Sequence, residues 1–131
     1  MKLLDTDILI DLFHGNRAAR SFIENQNAQG EHLAVSVITL VELLGNMRPG
    51  EEGATAAILH QFIVVEIDET IARQAARFLR TYPNNPRIDL SDAIIAATAF
   101  LRGADIVTRN TRHYPMPEVL VIEPYQRGAG D

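Results

Sequence analysis

Four places in the chain carry side chains that could do chemistry. Asp5 closes the apolar opening of "KLLDTDILID", Glu42 lies inside "LVELL", Asp92 begins "DAIIAA" after Ser91, and Asn110 ends "IVTRN". The three acids are set in apolar sequence with few basic neighbours, and a carboxylate among buried residues needs a partner because its desolvation is costly. If acids from different elements converge, they repel: two like charges about 4 Å apart interact by roughly 4 kcal/mol at an effective dielectric near 20. A divalent cation removes that repulsion. An all-oxygen donor set suits Mg²⁺ or Mn²⁺ rather than zinc. Such an ion, held by a few carboxylates, keeps waters and typically meets a phosphate, which points to phosphoryl or phosphodiester chemistry.

Taken singly, the same residues have plainer readings. Asp5 and Asp7 suit a turn or a helix N-cap. Thr39-Leu40-Val41-Glu42 fits a capping box. Asp92 follows Ser91 at a helix start, where the macrodipole favours an acid, and Asn110 suits an ordinary turn. An apolar strand followed by Asp-Thr-Asp also fits a haloacid-dehalogenase-type phosphatase, with Asp5 as nucleophile. That chemistry usually needs a lysine in a later motif, and of the 12 basic residues only Lys2, before the motif, is not arginine.

The elements that must position these groups follow from apolar patterning. Lys2–Asp5, His32–Ser36, Phe62–Ile67, Asp105–Thr108 and Val119–Ile122 read as short strands. Ile8–Phe13 (capped by Thr6 or Asp7), Asn16–Gln26, Thr39–Asn46, Ala54–Gln61, Glu69–Thr81 and Ser91–Arg102 read as helices. Pro83 and Pro86 break the fifth helix. The sixth is apolar on nearly every face, so it is expected to be buried. Alternation of strand and helix predicts an α/β domain with a mainly parallel sheet of four to five strands. In such sheets the chemistry lies beyond the carboxyl ends of the strands, where Asp5 and Asn110 fall.

A chain of 131 residues suits one domain, expected over 1–125, with 126–131 as a flexible tail. Cysteine is absent, which excludes a disulfide framework, a thiolate zinc site and a cysteine nucleophile. No apolar stretch approaches a membrane span, and the reading is cytoplasmic. The net charge of −5 argues against nucleic-acid binding unless several acids share a metal site, where the ion cancels them locally.

Together "LLDTDILIDL", "VSVITLVELLGN" and "DLSDAIIAATAFLRGADIVTRNTRHYP" resemble the PIN-domain ribonucleases, and more narrowly the VapC-type toxins of toxin–antitoxin pairs. The resemblance runs from residue 3 to about residue 122. It implies a three-layer α/β/α fold and a Mg²⁺- or Mn²⁺-dependent endoribonuclease. Asp5 and Asp92 then match metal ligands, Glu42 the second acid, which orients water or helps hold a second ion, and Asn110 a position where many members carry a fourth acid. Thr6 matches a small hydroxyl residue lining the site. Arg109, Arg112 and His113 flank Asn110 and are candidates for holding RNA phosphates. The resemblance further implies a homodimer silenced by a small antitoxin of the VapB kind. Asp7 stands where the family usually has asparagine, and Asp89 is a candidate support for Asp92. A non-catalytic RNA-binding module on the same fold is the remaining alternative.

Overall fold

The computed structural model describes residues 1–84 and 88–126. Five strands, β1 (Lys2–Leu4), β2 (Leu33–Ser36), β3 (Ile63–Val65), β4 (Asp105–Val107) and β5 (Val121–Ile122), form one all-parallel sheet in the order β3-β2-β1-β4-β5. Pairing sets Leu3 opposite both Ala34 and Ile106, and Leu4 opposite Val107. Because side chains alternate along a strand, the sheet presents two different apolar faces. Leu3, Ala34 and Ile106 pack with Ile71, Phe78 and Ile95 from α5 (Glu69–Thr81) and α6 (Leu90–Arg102). Leu4, Val35 and Val107 pack with Ile8, Leu9 and Ile23 from α1 (Thr6–Phe13) and α2 (Arg17–Ala28). The result is three layers, α/β/α. Helices α3 (Val37–Gly45) and α4 (Glu52–Leu59) close the layer beside α1.

Helix α6 buries every residue from Asp92 to Ala99, as its all-round apolar sequence requires; its alanines allow close approach to α5 and the sheet. Gly103 ends it in the left-handed conformation (φ 64°), which turns the chain back into β4. The break expected at Pro83 falls just past the end of α5; Pro86 lies outside the described residues, as does the tail from 127 onward.

Only α5 starts where expected; α2 starts one residue late behind its Asn16 cap, α4 two residues early at Glu52 with no side-chain cap, and the other three shifts follow an upstream capping side chain. Asp5, not Thr6 or Asp7, caps α1, its carboxylate accepting the Thr6 N–H. Ser36 caps α3, its Oγ accepting from Ile38 N at 3.1 Å, so Thr39 is three residues inside the helix and no Thr39–Glu42 capping box exists. Asp89 caps α6 in a reciprocal box with Asp92, so the helix starts at Leu90, one residue before the expected Ser91. The strand expected over Val119–Ile122 pairs only at Val121–Ile122.

Candidate active site at the strand ends

β1 and its neighbours β2 and β4 all point their carboxyl ends at one edge of the sheet, where the chain order reverses about β1. Asp5 is the first residue beyond β1. Its N–H still donates to Val107 O (2.9 Å), so the sheet itself fixes its backbone. The side chain is 8% exposed and both oxygens are engaged: Oδ1 accepts the Thr6 N–H at 2.7 Å, and Oδ2 accepts the Thr108 hydroxyl at 2.8 Å. Thr108, fully buried just past β4, also accepts the Asn110 N–H at 3.0 Å.

Thr6 links this centre to α3. Its hydroxyl donates to Glu42 Oε1 at 2.7 Å and lies 3.0 Å from the hydroxyl of the buried Thr39. Thr39 and Glu42 of "TLVE", one turn apart, thus face the site along one side of α3 rather than capping it. Beside Glu42 opens a cleft of about 470 Å³, lined by Leu9, Ile10, Phe13, Leu43 and Met47.

Asp92 enters from the first turn of α6. Burial raises its pKa to about 7; the Asp89 N–H opposes this and the Asp89 charge adds to it. His113 Nδ1 stands 3.6 Å from Asp92 Oδ1. The Tyr114 hydroxyl, on a side chain 4% exposed, makes no well-aligned hydrogen bond. Burial raises its pKa first, then the charges of Asp5 and Asp92 and a side-chain hydrogen bond with Asp5.

Asp7 accepts the Arg109 N–H and the Asn110 side-chain N–H at Oδ2, both at 3.0 Å. Its pKa is raised to about 6, chiefly by burial and then by the Asp5 charge, against the Arg109 N–H. Asn110 is therefore held by Asp7. Arg109 pairs through Nε with Asp11 Oδ2 at 2.8 Å, and Asp11 also accepts the Tyr125 hydroxyl at 2.8 Å. Arg112 is exposed on the short 3₁₀ turn Thr111–His113, and Asp89 is exposed outside the α6 cap.

Of the candidates read from sequence, Asp5, Thr6 and Glu42 share one hydrogen-bonded network, and Asp92 approaches it from α6. Thr108, Thr39, Tyr114 and Asp11 were not among those candidates. Thr108 alone carried a signal, a hydroxyl at the end of an apolar strand. Among the described residues no three Asp, Glu or His side chains converge tightly enough to make a ready cation cage. The donor set is all oxygen, and Asp5 with Asp92 fits a hard divalent ion that keeps most of its water. Lys2 donates to Gln26 at the opposite end of β1, so no lysine serves the site as a phosphatase of the haloacid-dehalogenase type would need.

A PIN domain model matches residues 2–119. Ribonuclease VapC19 of Mycobacterium tuberculosis is 38% identical over 117 residues, 88% of this chain and 94% of that one. Ribonuclease VapC10 of the same organism is 39% identical over 121 residues, 92% of this chain and 90% of the other. Among solved structures, a toxin–antitoxin complex from Klebsiella pneumoniae superposes with a TM-score of 0.78 at 34% identity, covering 96% of this chain and 99% of its counterpart.

Proposed function

Because the chain belongs to the PIN-domain family, in its VapC-type toxin branch, we propose that it is a Mg²⁺- or Mn²⁺-dependent endoribonuclease silenced by a small VapB-like antitoxin. What supports this reading is the hydrogen-bonded chain Asp5–Thr6–Glu42 beyond the carboxyl end of β1, with Asp92 buried in the first turn of α6. Relatives named ribonucleases, and a toxin–antitoxin complex of the same fold, support the substrate and the partner.

Asp5 and Asp92 would hold the cation, which when bound supplies positive charge to the scissile phosphate and acidifies nearby water. The Thr6 N–H and Thr108 hydroxyl fix the Asp5 carboxylate in one orientation, so little reorganisation is needed on binding. Glu42, aimed by Thr6, accepts a proton from the attacking water and so directs it at phosphorus. The P–O3′ bond breaks, leaving a 5′-phosphate and a 3′-hydroxyl. Arg112 and His113, exposed beside the site, are placed to meet RNA phosphates. Arg109 takes no such role, because its guanidinium is committed to Asp11. The cleft beside Glu42, lined by apolar side chains together with His14, Asn46, Arg48 and Glu51, offers an antitoxin segment a seat next to that acid. No helix among the described residues is long and apolar enough to cross a membrane. Cytoplasmic residence and homodimerisation belong to the same proposal.

The test is cleavage of labelled RNA by purified protein with Mn²⁺ or Mg²⁺. Asp5→Asn and Asp92→Asn should each abolish it. Equal survival of RNA with wild type and both variants would make the chain a non-catalytic module.

A further inference from the structure

Asp7 and Asp11 stand one turn apart on α1, and Arg109, from the segment after β4, lies between them. Its Nε is 2.8 Å from Asp11 Oδ2 and 3.9 Å from Asp7 Oδ2. The pairing is ionic, with no aligned N–H, so it attracts Asp11 without orienting it. The orienting bond comes from the far end of the chain: the Tyr125 hydroxyl donates to the same Asp11 Oδ2 at 2.8 Å. Tyr125 lies three residues past β5, an edge strand of only two residues. Its ring packs against the apolar cluster that includes Leu4, Ile8 and Val107. Burial first, then the Asp11 bond, raises its pKa, so the hydroxyl keeps its proton as a donor. On its other side, Arg109 donates its main-chain N–H to Asp7 Oδ2 at 3.0 Å, and the Asn110 side chain donates to that oxygen too. The Asn110 N–H in turn bonds Thr108 Oγ1, the hydroxyl that aims Asp5. A line of contacts thus runs from Tyr125 to the carboxylate at the end of β1.

We propose that Tyr125 and Asp11 are positioning residues of the ribonuclease site: together they clamp the Arg109 side chain, and the clamped residue holds Asp7, Asn110 and Thr108 in register. This rests on the ribonuclease reading above. The clamp acts on the chemical step rather than on RNA binding. Arg112 and His113 sit on the turn Thr111–His113, which the buried Tyr114 anchors separately from its far end. A loosened Arg109 leaves that anchor in place but frees the Asn110 N–H and the Thr108 hydroxyl to drift from Asp5. A misplacement of about 1 Å at a reacting group costs up to about 10²-fold in rate, so a partial loosening is expected to cost about tenfold.

The experiment takes the full chain as wild type, Tyr125→Phe, Asp11→Asn and the double variant, with Ile23→Val, at a buried α2 position outside the clamp, as a stability control. Phenylalanine keeps the ring in its apolar seat and removes only the hydroxyl. Asparagine keeps an acceptor for Tyr125 and removes only the charge facing Arg109. Cleavage of labelled RNA with Mn²⁺ gives kcat and KM, and hydrogen exchange followed by NMR gives the protection of the Arg109 amide. Tyr125→Phe should lower kcat about tenfold, leave KM within about twofold, and speed exchange at the Arg109 N–H at least about tenfold. Asp11→Asn should do the same, and the double variant should fall within about twofold of the worse single, because two breaks in one relay do not multiply. Ile23→Val should melt lower and keep its kcat. Wild-type kcat and exchange in Tyr125→Phe, a rise in KM with kcat unchanged, losses that multiply in the double variant, or an equal kcat loss in Ile23→Val would each overturn the inference. A wild type that leaves RNA intact would sink the ribonuclease reading, while exchange would still judge the clamp: an unprotected Arg109 amide, or one that Tyr125→Phe does not affect, overturns it.

Discussion

Thr108→Val tests whether the buried hydroxyl beyond β4 ties the sheet to Asp5. Valine has nearly the shape of threonine, so no cavity opens and the effect isolates the hydroxyl. Lost are the donation to Asp5 Oδ2 at 2.8 Å, with its longer branch to Asp7 Oδ2 at 3.4 Å, and the acceptance from Asn110 N at 3.0 Å. A hydrogen bond to a charged group contributes about 1.5–3 kcal/mol and a neutral one about 1 kcal/mol. Thr108 is 0% exposed, so water cannot take over on its side. The loss is therefore about 2–4 kcal/mol. With an unfolding entropy of roughly 2.1 cal/mol/K per residue, a chain of this length loses about 3.6 °C per kcal/mol, giving a drop of about 7–14 °C. Metal-free thermal melting followed by circular dichroism reads this directly, and Thr108→Ser, which keeps the oxygen, should recover most of it. A Thr108→Val protein melting within about 2 °C of wild type would refute the claim that this hydroxyl organises the site.

Three further expectations can be measured on the same material. Without metal, stability should fall as pH rises from about 4 to about 7. Asp7 and Asp92 hold protons in the folded state up to about 6 and about 7, while the unfolded chain releases them near the ordinary value of 3.8. The folded state then binds more protons across that window, and the penalty is complete only above it. After allowance for solvent screening the two together cost on the order of 1–3 kcal/mol, and urea unfolding at pH 5 and pH 8 checks the sign; a metal-free protein more stable at pH 8 contradicts it. Asp5→Asn should lose about 1–2 kcal/mol without metal, since the amide carbonyl keeps the Thr6 cap bond but the charge-assisted bond from Thr108 is lost, while Mn²⁺ should raise the melting temperature of wild type far more than that of the variant. Arg109→Ala should destabilise the protein by about 2–3 kcal/mol, because Asp11 and Asp7 lose their cation in a half-buried setting. A variant of unchanged stability whose KM for RNA alone rises would instead make Arg109 a substrate contact.

The layers and the parallel sheet were legible because Leu3-Leu4, Leu33–Val35 and Ile106-Val107 are apolar on consecutive positions, and strands buried on both faces read that way. The helix starts were less legible, since several neighbouring side chains could cap each one and only the three-dimensional path chooses among them. That ambiguity matters most at Asp5. Read from sequence, cap and metal ligand are rival roles for it; in the fold it is the cap, and the cap bond leaves its charge in place for the proposed ligand role. The strand fixes its backbone, the Thr6 N–H takes Oδ1, Thr108 takes Oδ2, and the charge remains. A cap bond is thus part of how the carboxylate is aimed. Glu42 repeats the logic: Thr39 and Glu42 look like a local box, yet Thr6, 36 positions before Glu42, claims the acid. Tyr114 lay beyond reach, and Thr108 was only hinted at by its place at a strand end, because their importance comes from what is brought beside them across the sheet. The same holds for Asp7, whose partner Asn110 is 103 positions away in sequence and 3.0 Å away in space. An acid and an amide that each depart from the usual pattern become one hydrogen-bonded pair, a relation that neither position discloses alone.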